Sequence, residues 1–299
     1  PLGRPDDEVG GIRDEIDRRV WDLVAELAVH SRYWPQRRYS SLAGRARGHS
    51  DRLASGQHFL RSSRVAAELV AAACVHEDDL VVEIGAGFGR LTAPMARSGA
   101  RVRAVELDPD LAGGLRRRFA GDTRVEVLEA DVLALHLPET PFRAFGNLPF
   151  SHTSAILRRL LDDAASQLRR VDVIVEDGVA RKCCSPRPCS MRSLSWLPWW
   201  RFELERHIPS SAFDPPPSVD AALLSVRRRH PALLDPASAE RYRGLLHSTF
   251  QHAQVPLRRT LRMPPRTWKR LARERGLAVD ARPQHLDVWD WLAVFEQMS

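Results

Sequence analysis

The chain has 299 residues, of which 43% are hydrophobic and 28% charged, with a formal net charge of +7. That length suits one large domain or a medium domain plus a small one. The composition is globular, and no stretch approaches the roughly 18 apolar residues of a membrane span. Pro1-Leu2-Gly3 does not begin a basic-then-apolar export signal, so a cytoplasmic protein with no membrane partner is expected.

Residues 12–29 carry Ile12, Ile16, Val20, Leu23, Val24 and Leu27 at helical spacing and predict an amphipathic helix. Residues 31–55 hold Arg37, Arg38, Arg45, Arg47 and Arg52 among small polar residues and read as a basic arm. From about residue 56 the pattern becomes α/β. Strands are predicted at 80–84, 102–106, 125–128, 142–145 and 171–175, with helices near 64–74, 90–98, 110–120 and 153–162. Such alternation implies a parallel sheet wound on both faces. Two later strands, 202–207 and 223–227, flank the rigid Pro215-Pro216-Pro217 and fit a late antiparallel addition. Past His230-Pro231 the strand signals stop. Helices near 238–250, 256–262, 265–275 and 287–297 predict a small helical domain, where twelve Lys/Arg face seven Asp/Glu in 229–299. The expected division is an N-terminal helix and arm over 1–54, a catalytic domain over 55–229 and a helical RNA-binding domain over 230–299.

Lys182 and Lys269 are the only lysines, so nearly all the positive charge is arginine. Arginine codons of a GC-rich genome explain that preference but not the net excess of cations. Guanidinium groups match phosphate oxygens and stack on bases, which points to nucleic acid. The four cysteines are Cys74, Cys183, Cys184 and Cys189. They lack the paired spacing of a zinc site, so reduced thiols and no metal are expected.

Glu83-Ile84-Gly85-Ala86-Gly87-Phe88-Gly89 directly follows the first main strand. Its alternate glycines allow a sharp turn and a close approach of backbone to a ligand. The spacing differs from the G-x-G-x-x-G of dinucleotide binders. Glu106 ends the next strand, where a carboxylate can accept both hydroxyls of a ribose. Asp131 follows the third strand and can accept from an adenine amine. Either acid alone reads as a loop residue; the turn and both acids in this order describe a nucleoside pocket.

Asn147-Leu148-Pro149-Phe150 ends the fourth strand of the alternation. An exocyclic adenine amine is a weak nucleophile because its lone pair is delocalised into the ring. Two acceptors holding its hydrogens, the Asn147 side-chain oxygen and the Leu148 carbonyl, can pyramidalise the nitrogen. Pro149 stiffens the turn, and Phe150 offers a stacking face worth ~1–3 kcal/mol. No strong general base is required, because the amine loses its proton only as it becomes cationic, and positioning supplies most of the catalysis.

These motifs, with Gln57-His58-Phe59-Leu60 and Ile208–Asp220, resemble the ribosomal RNA adenine N6-methyltransferases over about residues 45–295. That superfamily includes the erythromycin-resistance (Erm) enzymes and the small-subunit dimethyladenosine transferases. The resemblance implies a Rossmann-like catalytic domain, a small all-helical C-terminal domain and S-adenosyl-L-methionine as cofactor. It also implies that Gln57 and His58 border the cofactor and that Gly85 and Gly87 meet its methionine end. Glu106 would hold its ribose, Asp131 and Val132 its adenine, and Asn147 would lie beside it. Phe150 and Phe213 would take the two faces of the target base, and Arg258 and Arg259 would meet phosphates. Three features depart from the family: His58 where asparagine is usual, Glu176-Asp177-Gly178, and the Cys183–Cys189 region.

Ser195-Trp196-Leu197-Pro198-Trp199-Trp200-Arg201-Phe202 resembles a Trp-rich feature of actinobacterial Erm proteins. It also reads simply as the aromatic core of a late hairpin. The Erm branch implies methylation of one adenosine of 23S ribosomal RNA before ribosome assembly is complete, by a monomer, conferring macrolide resistance. The alternatives are a 16S dimethyladenosine transferase and a non-catalytic RNA-binding assembly factor on the same scaffold. A DNA adenine methyltransferase is disfavoured by Leu148, where its motif has proline.

Overall fold

A computed structural model describes residues 58–185 and 190–298. The expected N-terminal helix and arm, Gln57 and Cys189 lie outside the described residues. The described elements run β1 (Phe59–Leu60), α1 (Ser63–Ala72), β2 (Leu80–Ile84), α2 (Thr92–Arg97), β3 (Arg101–Glu106), α3 (Pro109–Arg118), β4 (Val125–Glu129), β5 (Phe142–Asn147), α4 (Thr153–Leu161) and β6 (Leu168–Glu176). There follow α5 (Asp177–Cys184), α6 (Met191–Trp196), β7 (Trp200–Ile208), β8 (Phe213–Asp214) and β9 (Ala221–Arg228). The chain ends in α7 (Ala239–Phe250), α8 (Leu257–Thr260), α9 (Pro265–Glu274) and α10 (Val288–Glu296).

Seven strands form one sheet in the order β4-β3-β2-β5-β6-β9-β7. β2 through β6 are parallel, and β9 runs antiparallel to both β6 and β7. The expected Rossmann-like sheet with a late antiparallel addition is therefore present. Both faces are covered, so side chains of each strand alternate between two buried layers. On β6, Val171, Val173 and Val175 point into one layer and Ile174 into the other. Helices α1, α2 and α3 cover the layer holding Leu69, Met95 and Leu115, and α4 to α7 cover the opposite one. Strand order reverses between β2 and β5. In open parallel sheets, ligands bind at such a reversal, beyond the carboxyl ends of the strands.

The opposite end of the sheet is locked by buried charge. The Arg143 guanidinium donates to the carbonyls of Ala73 and Cys74 and to the carboxylates of Asp79 and Asp172, at 2.5–3.0 Å. Asp172 also accepts from Arg170 at 2.8 Å and from the Ser225 hydroxyl at 2.9 Å. A buried carboxylate with this many donors is well compensated.

The C-terminal helices form the expected all-helical domain, and their apolar side chains join the buried layer of the sheet. A tryptophan cluster makes the joint. Trp196, Trp199 and Trp200 are all buried, and each indole N–H has a partner: Asp162, the Leu234 carbonyl and the Leu161 carbonyl. Trp199 meets Tyr242 of α7 edge-on at 6.1 Å, and the Arg228 guanidinium lies 4.4 Å from the Trp200 ring centroid. This matches the hairpin-core reading of the tryptophans, with one difference. Trp196 belongs to α6, which, like α5, the sequence pattern does not reveal. The two-residue antiparallel pair β1–β8 is also invisible to periodicity. Trp200→Ala should cost about 3–5 kcal/mol, the usual range for a large aromatic lost from a core, measured as a shift in urea unfolding.

Candidate active site

The glycine turn begins where β2 ends. Gly85, Gly87 and Gly89 all have positive φ, of 67°, 55° and 72°. Gly87 also lies under the Phe59 ring, so a Cβ there would fall 2.8 Å from it. Phe59 in turn packs against Phe88, ring centroids 4.9 Å apart. The backbone amides of Gly85 and Ala86 donate to the Val105 carbonyl at 2.9 and 3.1 Å, tying the turn to β3.

Glu106 is held at the end of β3 by two backbone donors. Its carboxylate accepts from Gly87 N at 2.7 Å and from Asp108 N at 2.9 Å. Burial raises its pKa, opposed by the amides of Asp108, Gly87 and Leu107. A carboxylate has roughly four acceptor positions, so capacity remains for hydroxyl groups. Beyond β4, Asp131 is exposed and accepts from Leu133 N at 2.8 Å. The sequence reading missed three apolar side chains left exposed at these strand ends: Phe88, Leu107 (68% exposed) and Leu133. Each follows a residue it did name, Gly87, Glu106 and Val132. Exposed apolar groups beside a buried carboxylate suit the flat face of a purine.

Glu83 opens the glycine motif but was given no role from the sequence. It is a charged residue inside an apolar strand, buried, and accepts from the Thr92 hydroxyl at 2.6 Å. Burial pushes its pKa up to about 8; the Thr92 hydrogen bond opposes the rise and Glu106 adds to it. The fold therefore keeps a proton that the unfolded chain releases above its ordinary value of 4.5. This stabilisation is complete below that value and is lost as pH rises towards about 8. Glu83→Gln keeps the acceptor for Thr92. It should flatten the thermal midpoint over this window and raise it above wild type on the alkaline side, as followed by circular dichroism.

β5 delivers Asn147 to the same place. Gly146 runs so close to β2 that a Cβ there would lie 2.5 Å from the Ile84 carbonyl oxygen. Asn147 O lies 3.7 Å from where a Cβ on Gly85 would stand, so the tetrapeptide and the glycine turn adjoin. The Asn147 side-chain amide donates from Nδ2 to the His58 carbonyl at 2.6 Å. A carbonyl only accepts, so the amide orientation is fixed and Oδ1 is left as the acceptor. Leu148 N donates to Ile174 O at 3.1 Å, and no backbone N–H among the described residues bonds the Leu148 carbonyl. Pro149 O accepts from His152 N at 2.9 Å. Phe150 is half-buried, its ring tilted against His58 with centroids 5.6 Å apart. Gly146→Ala should destabilise by ~1–3 kcal/mol or more, as overpacking does, with the loss read in the same unfolding assay.

The segment Ile208–Asp220 closes over this end of the sheet. Asp220 Oδ1 accepts from Ser210 N at 2.7 Å and its carbonyl from Asp177 N at 2.9 Å. Phe213 pairs with Leu60 and is 0% exposed, buried in a layer that Phe150 packs against. In this arrangement its ring is enclosed among the apolar side chains of that layer. Val132 is half-buried beside Asp131, while Arg258 and Arg259 lie exposed on α8, remote in sequence from these strand ends. Cys183 is buried and Cys184 half-buried, and burial raises their thiols to about 12 and about 11. Among the described residues no group of three or more His, Cys, Asp or Glu is placed to hold a metal. No described helix is long and apolar enough to cross a membrane.

A sheet of this order, with a glycine turn after β2 and a buried acid ending β3, defines an S-adenosylmethionine-dependent methyltransferase. The chain belongs to the ribosomal RNA adenine dimethylase family, whose profile matches residues 48–299. It is 29% identical over 247 residues to an rRNA adenine N-6-methyltransferase of Bacillus licheniformis, covering 82% of this chain and 86% of the relative. It is 34% identical over 251 residues to ribosomal RNA small subunit methyltransferase A of Thermosynechococcus vestitus, covering 81% and 94%. The crystal structure of 23S rRNA methyltransferase ErmE superposes with a TM-score of 0.72 at 29% identity, covering 80% of this chain and 98% of that one.

Proposed function

We propose that this chain methylates N6 of an adenosine in 23S ribosomal RNA and so confers macrolide resistance. The observation that carries the chemistry is Asn147, adjoining the glycine turn with its amide orientation fixed by His58. S-adenosylmethionine, when bound, supplies a methyl group already activated on a sulfonium. The turn at Gly85 and Gly87 meets its methionine end, and His58 borders it. The free acceptor positions of Glu106 take the ribose hydroxyls, and Asp131 with Val132 takes the adenine. The target base leaves its stack to reach the pocket. Phe150 takes one of its faces, while Asn147 Oδ1 and the Leu148 carbonyl hold the two amine hydrogens and turn the nitrogen lone pair outward. Exposed Arg258 and Arg259 meet RNA phosphates, and recognition rests on RNA shape.

The 23S target is supported by the ErmE superposition. The higher identity to a small-subunit methyltransferase favours 16S RNA as the second reading. Purified protein with labelled S-adenosylmethionine should label protein-free 23S RNA fragments and leave 16S RNA unlabelled. Asn147→Ala should lower transfer at least ~10²-fold, as loss of a positioning contact can. Labelling of 16S RNA alone would move the target to the small subunit.

A further inference from the structure

His58 touches each part of the candidate site. Its backbone carbonyl accepts from the Asn147 amide at 2.6 Å. Its ring lies 5.6 Å from the Phe150 ring. Its Nδ1 is 2.8 Å from the Pro215 carbonyl, 157 residues away, in the segment that carries Phe213. The amide of Arg61 donates to Ala212 O in that same segment at 2.8 Å, so the imidazole is held between two anchored stretches.

The Pro215 contact fixes the tautomer. A carbonyl oxygen cannot donate, so Nδ1 must carry the hydrogen, and the neutral ring then presents a lone pair at Nε2. No described group bonds Nε2. A basic nitrogen is thereby presented on the residue whose carbonyl orients Asn147, and beside the ring proposed to stack the base. Among the described residues it is the only such nitrogen on the side chains that meet there.

The geometry points to His58 as the acceptor of the proton that leaves N6. This rests on Asn147 being the amine-binding residue. As the N6 lone pair forms its bond to the methyl carbon, the methyl–sulfur bond breaks and its electron pair stays on sulfur. The cationic N6 then passes one hydrogen to Nε2, which gives imidazolium and a neutral methylated amine. Imidazolium can still donate from Nδ1 to Pro215 O, so the ring keeps its place through the transfer. Release of the Nε2 proton to water resets the site.

The test combines a tautomer measurement with single-turnover kinetics. Two-bond proton–nitrogen NMR spectra of the free protein should show the neutral His58 ring carrying its hydrogen on Nδ1; an Nε2–H neutral tautomer overturns the proposal. On a 23S RNA fragment, the wild-type single-turnover rate should rise with pH to a plateau. His58→Asn and His58→Gln should lower that plateau about 10²-fold, the low end for positioned proton acceptors, and abolish the acid limb. The affinities of both folded variants for S-adenosylmethionine and RNA are measured alongside, so that the rates compared are those at saturating concentrations of both. An unchanged acid limb in the variants, or a loss explained by weaker binding, overturns the proposal alone. A wild type active on no ribosomal RNA adenosine overturns the Asn147 reading and this one with it.

Discussion

The approach of β5 to β2 governs the rest of the molecule. With no room for a side chain at Gly146, the two strands run close enough to set Asn147 beside the turn at Gly85. Every other part of the site answers to that closeness. Phe59 can lie over the turn because Gly87 carries no side chain. His58, one residue earlier, can then reach Asn147 from above. The segment with Pro215 can in turn reach His58. A chain of short-range contacts thus gathers residues from 58 to 215 at the one position where strand order reverses.

Charge is divided between the two ends of this sheet by chemical purpose. At the amino end, Asp172 and Arg143 are saturated with partners and act as fasteners. At the carboxyl end, Glu83 and Glu106 are buried with fewer donors, and desolvation lifts both above the ordinary carboxylate range. Acids kept in that condition cost stability at neutral pH, and groups of this kind cluster at functional sites.

Much of this was legible before any coordinates. The β2 strand, with Leu80–Ile84 apolar but for one residue, and the glycine turn after it are local signals with a single geometric reading. Asn147–Phe150 was legible because its chemistry needs those groups in that order. Glu83 was given no role because a charged residue within an apolar strand gains meaning only once its neighbours Thr92 and Glu106 are known. The pairing of Phe59–Leu60 with Phe213–Asp214 spans more than 150 residues with two-residue strands, too short for any periodicity. For the same reason the burial of Phe213, which pairs with Leu60, is not legible in its own motif. Helices α5 and α6 are only eight and six residues long, too short to show a helical period, so tertiary packing, not pattern, decides them.

The indole cluster at Trp196–Trp200 has a mechanical meaning. It leaves no seam between the sheet and the C-terminal helices, because Tyr242 and Trp291 belong to the same dry interior as the strands. A protein joined this way grips like a caliper soldered at one opening rather than like a hand that closes. The C-terminal helices therefore keep a fixed position against the sheet. Under the proposed function, a ribosomal RNA that meets both has to conform to that spacing.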